Sequence, residues 1–205
     1  MRVTSPDFPP GTARRQLRVA LQARRREVSA RERAHAAARV VRHIEAAMPL
    51  RAYWRIAVYA ALPHELDTAP LIALAQRRGC RIYLPRIDRR RAARTMRFVE
   101  LSEQLRPNRL GIDEPHTGAT IGARWLDVAF LPLVGFDRRG LRLGTGGGYY
   151  DRAFAFRALR RAWHAPRLVG LAYAFQELPR IEAAAHDVPM DAVVTEEGMI
   201  RCSTG

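Results

Sequence analysis

The chain has 205 residues, 48% of them hydrophobic, and a formal net charge of +15 carried by 35 basic residues that are all arginine, because no lysine occurs. That length buries one substantial core, so the expectation is a single α/β domain over 13–200, between a disordered leader at 1–12 and a tail at 201–205. No apolar run approaches the ~20 residues of a membrane span and the start, MRVTSPDFPPGTARR, lacks a signal-peptide core, which predicts a cytoplasmic protein with no membrane partner; a monomer is expected.

Cys80 and Cys202 lie far apart without ligand spacing, so neither a disulfide framework nor a zinc site is indicated. Cys80 is expected to start a buried strand and Cys202 to lie in the tail. The positive charge fits nucleic acid or an anionic small ligand. No aromatic residues interleave with the basic ones in the manner of a nucleic-acid module, so most of the arginines are read as solvated and nucleic acid is not an expected partner.

In chain order, 13–28 and 30–48 predict two helices forming an N-terminal helical hairpin. Ser29 stands three residues before Glu32, a capping-box spacing, and Ala34, Ala37, Ala38, Val41, Ile44 and Met48 recur at helical intervals. After Pro49 come short apolar runs at 55–60, 81–85, 126–134, 167–173 and 190–195, which read as buried strands. Helices are expected at 68–78, opened by Asp67 or Thr68 with Pro70 in its first turn, and at 149–163. The alternation predicts an α/β three-layer sandwich around a mainly parallel, mixed sheet, with ligands beyond the carboxyl ends of the strands, where the loops after 59, 134 and 173 converge. The arginine-rich stretch 87–98 reads as a solvated, poorly ordered connection.

Positions 142–152, RLGTGGGYYDR, crowd Gly144, Gly146, Gly147 and Gly148 before two tyrosines. Such a loop lets backbone N–H groups approach an anion closely, and a helix N-terminus behind it adds positive potential. A Walker A loop needs a lysine and is excluded; the dinucleotide fingerprint fails because Tyr149 stands where its third glycine belongs.

The run LDVAFLPLVGFDRRGLRLGTGGGYYDRAF resembles the 5-formyltetrahydrofolate cyclo-ligases (5,10-methenyltetrahydrofolate synthetases), with further marks in RRQLR near the start, YAALPHELDT at 59–68, IYLPRI at 82–87, GIDEP at 111–115, AYAFQ at 172–176 and HDVPMDAVVTEEG at 186–198. The resemblance covers nearly the whole chain. It implies Mg²⁺- and ATP-dependent closure of 5-formyltetrahydrofolate, with or without a polyglutamate tail, to 5,10-methenyltetrahydrofolate, giving ADP and phosphate. A formyl amide is a poor electrophile until its oxygen becomes a leaving group, and phosphoryl transfer to that oxygen calls for positioning and charge neutralisation rather than a protein nucleophile.

Carried onto this sequence, the resemblance implies that Arg142, Leu143, Gly144, Thr145, Gly146, Gly147, Gly148, Tyr149 and Tyr150 hold ATP phosphates together with Arg14 and Arg18, where Arg14 replaces the family's usual lysine. Thr145 to Tyr149 also face the folate, as do Ala60 and Glu65. Asp151 and Asp187 match the metal-binding acids, Arg142 and Asp151 the catalytic pair, and Asp151→Asn is expected to abolish activity while sparing the fold. On their own residues, Tyr149 and Tyr150 either stack on the pterin or pack the helix onto the sheet. Tyr173 and Gln176 resemble a further stretch of the site, His186 reads as structural, and Arg89, Arg90 and Arg91 are expected to attract a polyglutamate tail. Two other readings stay open: a non-catalytic nucleotide-binding relative and an arginine-driven nucleic-acid binder.

Overall fold

The structure, a computed structural model, describes residues 12–88, 95–102, 105–107, 113–115, 117–157 and 165–203. The elements in chain order are α1 (Thr12–Glu27), α2 (Ala30–Ala47), β1 (Arg55–Ala57), α3 (Ala69–Arg77), β2 (Arg81–Asp88), β3 (Thr95–Glu100), β4 (Leu105–Pro107), β5 (Asp113–Pro115), β6 (Thr120–Ile121), β7 (Val128–Pro132), β8 (Gly135–Phe136), β9 (Arg142–Leu143), α4 (Tyr149–Phe154), β10 (Arg167–Leu171), β11 (Ala192–Thr195) and β12 (Gly198–Arg201). Eight strands form one sheet in the order β12-β11-β10-β7-β1-β2-β3-β6. The pairs from β11 to β2 are parallel. The edges, β12 on one side and β3 with β6 on the other, are antiparallel. The sheet is thus mainly parallel and mixed, as the sequence predicts.

A strand buried on both faces must be apolar throughout, and its side-chain period of two divides that run between two cores. Ile56, Val128, Phe130, Val169, Leu171 and Val194 face α2 and α3, packing with Val40, Ile44, Leu71 and Leu74. Their neighbours Ala57, Ala129, Leu131, Leu168 and Val193 face Phe154 of α4 and Phe98 of β3. These are the three layers. Because β1 is followed by β2 on one flank and β7 on the other, the chain reverses its direction of winding between β1 and β7, and the crevice at their carboxyl ends is the position where such sheets bind ligands.

The two N-terminal helices have different partners. Ser29 caps α2 in a complete capping box with Glu32, and α2 packs on α3, β11 and β12, whereas α1 reaches β8. The buried stripe of α2 is Ala36, Ala37, Val40, Val41, Ile44 and Met48; Ala34 and Ala38 are exposed, since alanine is too small to decide which face turns inward. On α1, Leu17 and Leu21 pack with Val134, Leu141, Leu143, Leu178 and Ile181 in a third cluster beyond the strand ends.

Several elements depart from expectation. Residues 95–98 belong to β3 rather than to a solvated connection: Phe98 is fully buried while Arg97 is exposed, the alternation of a strand with one face on the core. Arg89, Arg90 and Arg91 lie outside the described residues, as does 111–112 of the GIDEP motif. The last predicted helix is short, with α4 followed by a single 3-10 turn over Ala155–Arg157, and 158–163 lies outside the described residues. Cys80 precedes β2, its thiol donating to Arg51 O. Cys202 is held by its amide to Asp191 O and packs on the second core, where burial pushes its thiol up to about 12.

Replacing Ser29 by Ala should remove the cap and lower stability by about 1 kcal/mol, a fall in Tm of roughly 2–4 °C for a chain of this size. Thermal unfolding of Ser29→Ala beside the unaltered chain checks this.

Candidate active site

Three segments meet at the carboxyl ends of the central strands: the loop after β1 with Ala60 and Glu65, the glycine loop between β9 and α4, and the segment after β10 ending at Asp187. Helix α1 lies across them. Its residues Arg14, Arg18, Leu21 and Arg25 follow a four-three-four spacing, so they share one face. Arg14 donates from Nη2 to Asp187 Oδ2 at 2.9 Å and to Glu182 O at 2.7 Å. Arg18 donates from Nε to Gly144 O at 2.8 Å. Arg25 donates to Leu133 O at 3.3 Å and places Nη1 3.9 Å from Glu65 Oε1. The sequence reading included Arg14 and Arg18 and missed Arg25, which was hidden in a run of three arginines although its helical spacing marks it.

The glycine loop turns through left-handed backbone at Gly146 (φ +104°) and Gly148 (φ +61°), where an L side chain is strained. Apart from chain neighbours, no heavy atom lies within 4 Å of a Cβ built on Gly144 or Gly146, so this side of the loop is open. The amides of Thr145, Gly146, Gly147 and Gly148 find no acceptor among the described residues. Four successive donors without a protein acceptor are the kind of backbone that can receive an anion. Leu143 contributes no side chain to it: that side chain is buried in the third cluster, and its carbonyl accepts from Val134 N.

The two tyrosines divide. Tyr150 stacks at 6.5 Å on Phe154 and packs on the core, and burial drives its hydroxyl pKa far up. Tyr149 is half-buried, with the Arg152 guanidinium 5.1 Å from its ring while that arginine donates to Gly147 O.

Arg142 is 8% exposed and already engaged: Nη2 donates to Asp151 Oδ1 at 2.5 Å and Nη1 to Val188 O at 2.7 Å. Val188 N also donates to Asp151 Oδ1, which ties α4 to the segment bearing Asp187. Burial would raise the Asp187 carboxyl, but the Ala184 amide and Arg14 outweigh it and hold it below the ordinary value. The second oxygen of each acid, Asp151 Oδ2 and Asp187 Oδ1, takes no hydrogen bond from a described residue. Among the described residues no group of three or more His, Cys, Asp or Glu is gathered for a metal. Two carboxylates each offering one oxygen suit Mg²⁺, which keeps waters and shares phosphate oxygens, better than a metal needing a full protein cage.

Glu65 is buried in its side chain, with Oε2 accepting from Leu62 N. Burial raises its carboxyl, moderated by the Leu62 amide and by Arg25. Tyr173 donates to Glu65 O, and its own hydroxyl is pushed up to about 12, chiefly by burial. Gln176 is a structural clamp, donating to Leu133 O and Val134 O and accepting from Tyr173 N. His186 is exposed. The sequence reading also passed over Asp137, a buried acceptor for the amides of Arg139, Leu141 and Ile181 that shapes the turn before the glycine loop.

Asp151 thus neutralises a buried guanidinium, which revises the expectation that Asp151→Asn spares the fold. Removing one partner of a largely buried pair costs roughly 3–5 kcal/mol, so Asp151→Asn should unfold well below the unaltered chain. Arg14→Ala, breaking a more exposed pair, should cost about 1 kcal/mol or less. Ligand-free thermal unfolding of both variants measures the difference.

A sequence model of the 5-formyltetrahydrofolate cyclo-ligase family matches residues 10–196. The 5-formyltetrahydrofolate cyclo-ligase of Escherichia coli (strain K12) is 37% identical over 146 residues, covering 68% of this chain and 76% of that protein. That of Mus musculus is 29% identical over 193 residues, covering 91% and 95%. The NMR structure of Aquifex aeolicus 5,10-methenyltetrahydrofolate synthetase matches with a TM-score of 0.77 at 28% identity, covering 94% of each chain. The chain belongs to the 5-formyltetrahydrofolate cyclo-ligase family.

Proposed function

We propose that this family member converts 5-formyltetrahydrofolate and ATP into 5,10-methenyltetrahydrofolate, ADP and phosphate, in the cytoplasm and as a monomer. The observation that carries the reading is the glycine loop: four successive amides with no acceptor among the described residues, between Arg18 of α1, which holds Gly144 O, and the Arg142–Asp151 pair. Among the described residues no helix is long and apolar enough to cross a membrane.

The amides of Thr145 to Gly148 cradle the ATP phosphates, and Arg14 and Arg18 neutralise their charge from α1. Because Arg18 also holds Gly144 O, it fixes the loop in the shape that accepts them. Tyr149, Ala60 and Glu65 bound the folate side, with Tyr149 free to present its ring to the pterin while Tyr150 anchors α4. The formyl oxygen attacks the γ-phosphorus, the Pγ–O bond to ADP breaks, and N10 then attacks the formyl carbon. N10 gives up its proton and the carbon–oxygen bond breaks to release phosphate. Arg142, fixed by Asp151 and Val188 O, holds positive charge near the transferring group. Asp151 and Asp187 would hold Mg²⁺, which supplies charge neutralisation on the phosphates.

The test follows absorbance of the methenyl product from 5-formyltetrahydrofolate with and without Mg-ATP. Product that depends on ATP supports the reading; well-folded protein that forms none would falsify it. Gly146→Ala forces a side chain onto left-handed backbone and into the cradle, a strain of about 1–2 kcal/mol. It should raise the KM for ATP roughly tenfold or more.

A further inference from the structure

Arg25 has no place in the chemistry above, yet it is 8% exposed, and its Nε is buried with no hydrogen-bond partner among the described residues. A guanidinium is not left so deep without charge compensation. What faces it is Glu65, itself 9% exposed in its side chain, at 3.9 Å, beyond a hydrogen bond. One oxygen of that carboxylate, Oε2, takes the Leu62 amide, while Oε1 accepts nothing from the described residues. What opposes an ionised acid here is burial, and the titratable groups around it besides Arg25 are Tyr59, Tyr150 of α4, Tyr173 after β10 and, next in the chain, His64. Arg25 enters from the same face of α1 that carries Arg14 and Arg18.

We propose, on the reading of the chain as a folate cyclo-ligase, that Arg25 is a positioning residue for folate: its guanidinium keeps buried Glu65 as a carboxylate, so that the free Oε1 accepts a hydrogen bond from an N–H of the reduced pterin. Helix α1 thereby serves both substrates, with Arg14 and Arg18 at the ATP and Arg25 acting through Glu65 at the folate. Burial raises the Glu65 carboxyl and Arg25 opposes the rise. Folate binding is therefore present above the Glu65 pKa and lost as pH falls through it, and removing Arg25 moves that loss to higher pH.

The test measures equilibrium binding of 5-formyltetrahydrofolate without ATP, from pH 5 to 8.5, for the unaltered chain, Arg25→Gln, Arg25→Lys, Glu65→Gln and the double variant Arg25→Gln with Glu65→Gln. Arg25→Gln should weaken folate binding roughly tenfold at the acid end and shift its acid limb up by about one pH unit, with ATP binding unchanged. Arg25→Lys should restore most of the affinity. In the Glu65→Gln background, Arg25→Gln should change affinity by less than about twofold. An unshifted acid limb, or equal losses in both backgrounds, would overturn the role, as would loss of the fold in both Arg25→Gln and Arg25→Lys, which would make the residue structural. Absence of any folate binding by the unaltered chain would instead overturn the functional reading itself.

Discussion

The site depends on the way α1 is fastened across the carboxyl ends of the sheet. A helix with Leu17 and Leu21 as its apolar contacts has little hydrophobic surface with which to dock. Its arginines supply the rest, because a guanidinium brought out of water must find acceptors. Arg14 finds Asp187 and Glu182 O, Arg18 finds Gly144 O, and Arg25 finds Leu133 O near Glu65. These groups lie in four segments, so one helix sets the mutual positions of the loop after β1, the loop after β7, the glycine loop and the segment carrying Asp187. This is consistent with a cleft that must hold two substrates in register before any bond is made.

Beneath that helix the sheet provides a rigid floor. The parallel strands are buried on both faces, and the switch between β1 and β7 is the position at which such sheets bind ligands. The pair Arg142–Asp151 joins the end of β9 to α4, and Val188 N joins the same carboxylate to the segment carrying Asp187. The acids proposed for the metal are therefore also structural counter-ions. Each gives one oxygen to the protein and leaves the other facing no described donor, so under the proposed function the same residues hold the ligand-free site together and would take a cation.

Much of the architecture could be read from the chain. The central strands announce themselves as apolar runs because they are covered on both sides, and the glycine loop because few backbone conformations need so many glycines. Contacts across long separations could not be read: Arg14 and Asp187 are 173 positions apart, and no local pattern pairs them. Strand β3 was obscured because its buried Phe98 follows a block of arginines and alternates with exposed Arg97. Arg25 was obscured for the opposite reason, since periodicity arguments follow apolar side chains and do not expect a cation to be buried. Leu143 and Gln176 show a further limit: a motif marks residues that shape a site together with those that touch its ligand.

The central claim is that the cleft brings the ATP γ-phosphorus to the formyl oxygen. It is tested most directly with 5-formyltetrahydrofolate carrying ¹⁸O in the formyl group and unlabelled ATP in ordinary water. Transfer through that oxygen predicts one ¹⁸O atom in each phosphate released. Unlabelled phosphate, formed at the same rate as methenyl product, would contradict the account.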